Sequence, residues 1–281
     1  MRTDPLVDRL VALALEEDLA LGDPTTEATV PAGLAGLGRI AAKAPLVLAG
    51  TEVALRVFHA VDPAIEVELQ ADDGASLGPG ALIGLARGPV DSLLRAERTA
   101  LNFLQRLSGV ATLTRRFVEA VEGTGATIVD TRKTTPGWRV LEKRAVRAGG
   151  ARNHRMSLGS GVLIKDNHVD AAGGVARAIA AARSTAPHLL AIEVEVRDLD
   201  ELDEALGAGV QLVLLDNLTP DVLRVAVQRA HAAGVLTEAS GGVRLENVRA
   251  IAETGVRLIS VGALTHSATA VDIHMKVAPA P

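Results

Sequence analysis

The spacing of hydrophobic positions changes near residue 126, and this change divides the sequence into two regions. Beyond it, short aliphatic segments alternate with longer segments whose apolar residues recur every three to four positions. The first kind predicts strands and the second predicts helices. The predicted strands are 126–129, 162–164, 191–194, 210–215, 235–237 and 258–261, and the predicted helices are 138–148, 171–186, 198–208, 220–233 and 244–254. Such alternation favours parallel strands joined by right-handed crossovers.

The region before residue 126 predicts a smaller sheet with helices around it. Helical spacing predicts a helix over residues 5–18, with Asp4 as N-cap and Pro5 in the first turn. Aliphatic runs at 39–42, 46–49, 65–69 and 82–86 predict strands, with one helix near 52–61. Residues 91–122 predict a helical pair interrupted near Ser108 and Gly109. In the second region, about six strand–helix repeats fall short of a complete eight-fold barrel, so an incomplete barrel and an open doubly wound sheet both fit the pattern.

Composition narrows the class of protein. The 281 residues are 48% hydrophobic but only 1% aromatic, so Ala, Val, Leu and Ile must build the core, as in buried parallel strands. The absence of cysteine excludes disulfides, thiolate metal ligands and a cysteine nucleophile. The chain starts without a signal-peptide pattern and has no apolar run of membrane-spanning length. We therefore expect a cytoplasmic protein that does not engage a membrane.

Basic residues are concentrated in residues 131–155, although the formal net charge of the chain is −5. This segment has eight Lys or Arg residues and one acid and so carries +7, which predicts an anion site. Arg132 and Arg155 lie in predicted loops, where a guanidinium fork can pair with a carboxylate or phosphate. A nucleic-acid partner is not expected, because the pI is near 5.8 and few aromatic residues are available for stacking. A solvated helix face is expected for Arg139, Lys143, Arg144 and Arg147.

Polar or small residues follow each of the six predicted strands. In chain order they are Asp130, Arg132 and Lys133; Lys165, Asp166 and Asn167; Glu195; Asp216 and Asn217; Glu238, Ser240, Gly241 and Gly242; and Gly262, Ala263 and Thr265. Because the C-terminal ends of parallel strands converge on one face, we expect one site there. The small residues after the last two strands would let backbone N–H groups approach a phosphate.

Several roles are open for the individual side chains. Lys165 suits a pyrophosphate or a carboxylate, and a strand-end lysine also suits a Schiff base. Glu195 and Asp216 suit ribose hydroxyls, Mg²⁺ or a sugar cation. Glu193 is expected to share a strand face with Glu195. His154 suits either a carboxylate clamp or a structural hydrogen bond.

Motifs along essentially the whole chain, in order, resemble the quinolinate phosphoribosyltransferase family. They are Gly22-Asp23-Pro24-Thr25-Thr26, residues 96–102 and 107–112, Asp130-Thr131-Arg132-Lys133-Thr134, Asn153-His154-Arg155, Lys165-Asp166-Asn167-His168, Glu193-Val194-Glu195, Leu215-Asp216-Asn217, Ser240-Gly241-Gly242 and residues 261–266. The resemblance implies a type II phosphoribosyltransferase fold. Its parts would be an N-terminal α/β sandwich-like domain (1–110) and an incomplete α/β barrel of six to seven strands (111–267), with the tail 268–281 returning to the first domain.

The resemblance also implies a reaction. Phosphoribosyl would pass from 5-phosphoribosyl 1-pyrophosphate to quinolinate with Mg²⁺, giving nicotinate mononucleotide, pyrophosphate and CO₂ in de novo NAD synthesis. The implied assembly is a homodimer, or a hexamer of such dimers, in which Arg98 reaches the neighbouring site. The implied catalytic residues are Lys133, Lys165, Glu195 and Asp216, with Glu195 and Asp216 on the metal side.

The implied substrate-binding residues are Arg98, Thr131, Arg132, Lys133, His154, Arg155, Lys165, Glu195, Asp216, Ser240, Gly241, Gly242, Gly262, Ala263 and His266. Within this set, Arg132, His154 and Arg155 match a pocket for the quinolinate carboxylates. Their presence argues against a nicotinate-specific transferase and against a repurposed paralogue linked to molybdenum transport, in which this pocket would decay. The sequence departs from the family pattern at Trp138, Ala151 and Ser160, none of which is a charged ligand.

Overall fold

The structure is a computed structural model that describes residues 4–280. Its helices are α1 (Pro5–Leu19), α2 (Pro24–Thr29), α3 (Thr51–Val61), α4 (Val90–Ala120), α5 (Arg139–Ala148), α6 (Asp166–Ala172), α7 (Val175–Thr185), α8 (Leu199–Gly207), α9 (Pro220–Ala232), α10 (Leu245–Ala252) and α11 (Ala263–His266). Its strands are β1 (Ala35–Ala42), β2 (Leu46–Val47), β3 (Glu66–Leu69), β4 (Ser76–Leu77), β5 (Leu82–Pro89), β6 (Thr127–Val129), β7 (Val162–Ile164), β8 (Ile192–Val196), β9 (Leu212–Asp216), β10 (Leu236–Ser240), β11 (Leu258–Ser260) and β12 (Ile273–Pro279). Within the described residues, no helix is both long enough and apolar enough to span a membrane.

The chain divides into two compact units. The first contains the residues up to Arg115, Thr134–Gly150 and the residues from Leu264 onward; the second contains Arg116–Lys133 and Ala151–Ala263. This division differs from the sequence-based boundary at 110/111, because it gives 134–150 to the first unit. Within that unit, Arg144 on α5 pairs with Asp4 and Glu52, and β12 pairs with β1.

The first unit is built on an antiparallel sheet with the strand order β12-β1-β5-β3. Residues of β1 alternate between exposed and buried positions, which is the period-two pattern of a strand with one face in the core. Helix α4 is continuous, so the predicted interruption near Ser108 and Gly109 is wrong. A side chain at Gly109 would overlap the carbonyl oxygen of Thr269, and Ser108 bonds to the backbone of Ala49. These residues permit close packing on an intact helix.

Helix α5 is present as predicted, but its basic residues are not all on a solvated face. Lys143 is 1% exposed, whereas Arg144 and Arg147 are exposed. The neighbouring Glu142 is fully buried and pairs with Arg106 at 3.0 Å. The prediction was therefore wrong for Lys143, because the apolar positions of α5 do not reveal that a lysine lies on the packed side.

The second unit contains a six-stranded parallel sheet with the order β6-β11-β10-β9-β8-β7. All six predicted strands are confirmed, with ends shifted by at most three residues. Helix α6 begins directly after Lys165 and was not predicted from the hydrophobic pattern. One face of the sheet is aliphatic and buried, as at Val194, Val213 and Ile259. These residues build the core expected of strands covered by helices.

The sheet of the second unit is strongly curved. Neighbouring strands lie about 4.8 Å apart, so the two edge strands of a flat six-stranded sheet would be separated by roughly 24 Å. Thr127 on β6 and Val162 on β7 nevertheless line one cavity of about 350 Å³, although these edge strands are not paired with each other within residues 4–280. The sheet therefore curls into an incomplete barrel, with an opening between β6 and β7.

Candidate active site

A cavity of about 620 Å³ lies at the C-terminal ends of the barrel strands. Its volume is in the range of small-molecule sites. It brings together eleven of the predicted site residues: Thr131, Arg132, Lys133, His154, Arg155, Lys165, Glu195, Asp216, Ser240, Gly241 and Gly242. These residues lie together because each follows a parallel strand, and the C-terminal ends of parallel strands meet at one face.

Four predicted residues are not in the lining of this cavity. Gly262 and Ala263 follow β11 in the same unit. Arg98 and His266 belong to the first unit: Arg98 is exposed on α4, and His266 Nδ1 lies 2.6 Å from the hydroxyl oxygen of Ser267. Their roles stay predictions.

Asp130 organises the loop that carries the basic residues. It is fully buried at the end of β6, where its Oδ2 accepts a hydrogen bond from Asn153 Nδ2 at 2.6 Å. Its Oδ1 accepts the backbone N–H of His154 at 2.8 Å. Because both bonds involve a carboxylate, they fix residues 153–154 firmly against the strand end. Asp130 was noted at a strand end but was not among the predicted site residues.

Two guanidinium groups face the same cavity. Arg155 donates from Nη1 to the carbonyl oxygen of Gly161 at 3.1 Å, and Arg132 lines the cavity beside it. Burial, and then the positive charge of Arg132, lower the pKa of Arg155, while the charge of Glu193 opposes that shift. Like charges held together in a partly buried site favour an anion between them, and guanidinium forks suit carboxylates.

The hydrogen bonds of His154 define its protonation. Nδ1 accepts the backbone N–H of Arg155 at 2.7 Å, so the ring proton is on Nε2. Nε2 lies 3.1 Å from Glu193 Oε2, to which it donates, and 3.7 Å from Glu238 Oε1. A buried carboxylate thus fixes the imidazole at the cavity wall, and both roles expected of His154, the carboxylate clamp and the structural hydrogen bond, stay predictions.

The charged groups on the other side of the cavity are paired. Lys165 Nζ lies 2.7 Å from Glu195 Oε2, and the Lys165 head is about half exposed while the Glu195 side chain is buried. On the next strand, Asp216 Oδ2 accepts a bond from Asn217 Nδ2 at 2.7 Å. Oxygen atoms, such as those of carboxylates, are the ligands that Mg²⁺ prefers, so Glu195 and Asp216 fit a metal beside a phosphorylated substrate. Lys165 would have to release Glu195 for direct coordination.

The loop after β10 approaches the neighbouring strand end closely. Gly241 has a φ of +93°, and a Cβ there would overlap the side-chain oxygen of Asn217. The backbone N–H of Asn217 donates to Ser240 O at 2.9 Å, which joins the two loops. Only glycine fits Gly241, and the exposed backbone beside it suits a phosphate group.

Three further polar residues of the barrel interior were not among the predicted catalytic or substrate-binding residues. Glu193, Glu238 and Ser260 point into the barrel from β8, β10 and β11. The signal that could have found them is the period of two: Glu193 precedes Glu195 and Glu238 precedes Ser240 by two positions, so each pair shares a strand face.

The site can be compared with known proteins. The model for the N-terminal domain of quinolinate phosphoribosyl transferase matches residues 23–108, and the model for its C-terminal domain matches residues 110–276. A nicotinate-nucleotide pyrophosphorylase (carboxylating) of Mycobacterium leprae is 48% identical over 265 residues, covering 92% of this chain and 93% of the relative.

Solved structures give the same result. NadC from Streptococcus pyogenes superposes with a TM-score of 0.95 at 38% identity and full coverage of both chains. The nicotinate-nucleotide pyrophosphorylase of Francisella tularensis gives a TM-score of 0.94 at 37% identity, covering 99% of this chain and 98% of the other. The similarity therefore extends over both compact units.

Proposed function

Because the chain belongs to the quinolinate phosphoribosyltransferase family, we propose that it joins quinolinate to the phosphoribosyl group of 5-phosphoribosyl 1-pyrophosphate. The reaction releases pyrophosphate and CO₂ and yields nicotinate mononucleotide for NAD synthesis. The observation that carries the proposal is that the positively charged side chains of Arg132 and Arg155 line one cavity together with His154. Two adjacent cationic forks suit a dicarboxylate, which quinolinate is.

The remaining groups of the cavity divide between the two halves of the sugar donor. Lys133 and Lys165 neutralise the pyrophosphate, and Glu195 and Asp216 lie toward the ribose hydroxyls. Ser240, with the glycines that follow it, offers hydroxyl and backbone donors for the 5′-phosphate. The pyridine nitrogen attacks the sugar carbon as pyrophosphate departs, and the chain contributes chiefly positioning and electrostatic stabilisation.

The resulting pyridinium ring withdraws electrons, so the carboxylate beside the ring nitrogen can leave as CO₂ without an organic cofactor. Mg²⁺ forms part of the proposal: bound with the sugar donor, it would neutralise pyrophosphate charge as the leaving group departs. Glu195 and Asp216 would hold it, directly or through water.

A cytoplasmic location is also part of the proposal.

A homodimer that shares its sites completes the proposal. Arg98 is exposed on α4, beside Glu97, whose pKa is raised by burial. We assign it to the neighbouring subunit's site. Inactive Arg98→Ala and Arg132→Ala chains, mixed so that subunits exchange, would then recover about a quarter of wild-type activity, because half of the dimers are hybrids with one complete site. No recovery would exclude sharing.

The reaction itself is tested by single turnover. Protein in excess is mixed with quinolinate labelled in the carboxylate next to the ring nitrogen, with 5-phosphoribosyl 1-pyrophosphate and Mg²⁺. Equal amounts of labelled CO₂ and nicotinate mononucleotide are expected. Turnover of nicotinate in place of quinolinate would change the acceptor, and inactivity toward both would refute a transferase of this kind.

A further inference from the structure

Two buried glutamates and a histidine meet inside the barrel. Glu193 is 4% exposed and Glu238 is 1% exposed. Both carboxylates and His154 Nε2 offer ligand atoms within 4.8 Å of one another. In each glutamate, Oε1 is buried and receives no hydrogen bond from residues 4–280. A buried acceptor is costly without a donor, and a proton on one of the two carboxyl groups would supply a donor to the other.

A metal ion is a poor alternative to such a proton. Coordination by His154 needs the lone pair of Nε2, but Nδ1 already accepts the N–H of Arg155 at 2.7 Å. A ring without a proton on either nitrogen would be an imidazolate anion beside two carboxylates. A proton meets the same need at lower cost, because a carboxylic acid O–H is itself a donor.

Glu238 is the carboxyl group that retains this proton. Glu193 already receives the Nε2–H of His154. Burial, and then the charge of Glu193, raise the pKa of Glu238 to about 7, while His154 and Ser260 act in the opposite direction. The groups that face Glu238 are Glu193 from β8, His154 from the loop after β6, Asp130 from the end of β6, Ser260 from β11 and the apolar Leu214 from β9.

The position of Glu238 links two cavities. It lines the 620 Å³ cavity that holds the arginines, and it also lines the second cavity, of about 350 Å³, on the other side. Arg152 and Ser160 in the wall of the second cavity are exposed, so this cavity reaches solvent. A proton given up toward the first cavity can therefore be replaced from the second.

The proposed reaction requires such a proton. When CO₂ leaves, the carbon–carbon bond breaks and its electron pair stays on C2 of the pyridinium ring. A C–H bond must then form there, so one proton has to be supplied at this carbon. Lys165 is already assigned to the pyrophosphate. Glu238 has a proton to give and becomes a carboxylate when it does so.

We propose that Glu238 is the acid that protonates C2 after decarboxylation, and that water in the second cavity returns a proton to it. This assignment rests on the proposed function. General acids of this kind contribute about 10²- to 10⁴-fold to rate. Glu238 is thus a further catalytic residue, and Glu193 and His154 are positioning residues that hold its surroundings.

Glu238→Gln tests the assignment, because glutamine keeps the shape but cannot transfer an acidic proton. We expect kcat to fall about 100-fold or more, with the KM for quinolinate changed by less than about twofold. Glu238→Asp, which keeps an acid, should recover part of the loss. Glu253→Gln is the matched control, since Glu253 is exposed and paired with Arg249 on α10.

A second measurement separates an acid from a structural residue. In an equal mixture of H₂O and D₂O, the ratio of hydrogen to deuterium at C2 of the product reflects the donor, so Glu238→Gln should change it. If Glu238→Gln has the wild-type kcat and the wild-type ratio of hydrogen to deuterium at C2, the assignment of Glu238 is overturned while the proposed function stands. A wild-type protein that releases no CO₂ from quinolinate would overturn the proposed function and this assignment together.

Discussion

Replacing Glu238 with glutamine should make the ligand-free protein more stable at pH 8, although the residue lies in the active site. In the folded chain, burial and the charge of Glu193 raise the pKa of Glu238 from 4.5 to about 7. In the unfolded chain the carboxyl group ionises near 4.5. Between these values the unfolded state loses its proton while the folded state keeps it, so wild-type stability falls as pH rises.

The size of the effect follows from the shift. A difference of about 2.5 pKa units corresponds to at most about 3 kcal/mol, reached above pH 7. At pH 5 the same relation gives less than about 1 kcal/mol. Glutamine removes this cost, and its amide N–H can also donate to Glu193 Oε1, which is buried and receives no hydrogen bond from the part of the chain that the structure describes. A gain of about 3 kcal/mol raises the melting temperature of a chain of this size by roughly 5–10 °C.

Thermal melts of wild type and Glu238→Gln at pH 5 and pH 8, without substrates, measure the difference. Glu253→Gln controls for the loss of a charge, because an exposed ion pair of this kind contributes less than about 1 kcal/mol at either pH. The reasoning is refuted if Glu238→Gln is less stable than wild type at pH 8. It is also refuted if the gain is the same at both pH values.

Three other substitutions have expected outcomes. Arg132→Ala should lower kcat/KM for quinolinate by about 100-fold or more, because a charged pair of hydrogen bonds is lost, while a melting temperature far below wild type would point to a folding role. Gly241→Ala should destabilise the fold by roughly 1–3 kcal/mol, since its Cβ overlaps Asn217 and φ is +93°; an unchanged denaturation midpoint would contradict this. Arg106→Ala leaves the fully buried Glu142 without its ion pair and should cost about 3 kcal/mol in urea unfolding, whereas Arg106→Lys should cost less.

The sequence could predict the strands of the barrel because their outward faces are aliphatic and their ends are polar. Hydrophobic period alone located Val162–Ile164 to the residue. The break predicted at Gly109 failed for a physical reason: glycine permits both a helix interruption and a close backbone approach, and only the position of Thr269 distinguishes them. That contact joins residues 160 positions apart, which no local pattern contains.

The acidic centre of the barrel could not be predicted from strand patterns. Glu193 lies on β8 and Glu238 on β10, with β9 between them. In a flat sheet, strands two positions apart are separated by roughly 9.6 Å. Their ligand atoms lie within 4.8 Å of each other and of His154 because the sheet curls inward. Periodicity gives the face of a strand on which a side chain lies, but curvature decides which side chains meet.

The charge pattern also shows that the sequence alone does not tell which side chains meet in the structure. The eight basic residues of 131–155 are one cluster in the sequence, but α5 carries four of them in the first compact unit. Of the other four, Arg132, Lys133 and Arg155 line the 620 Å³ cavity. Charge along a chain therefore overstates the local positive charge of the site. What equips the cavity for the proposed chemistry is the opposition of a few cations to buried acids. One of these acids is Glu238, whose pKa is raised to about 7 by burial and by the charge of Glu193.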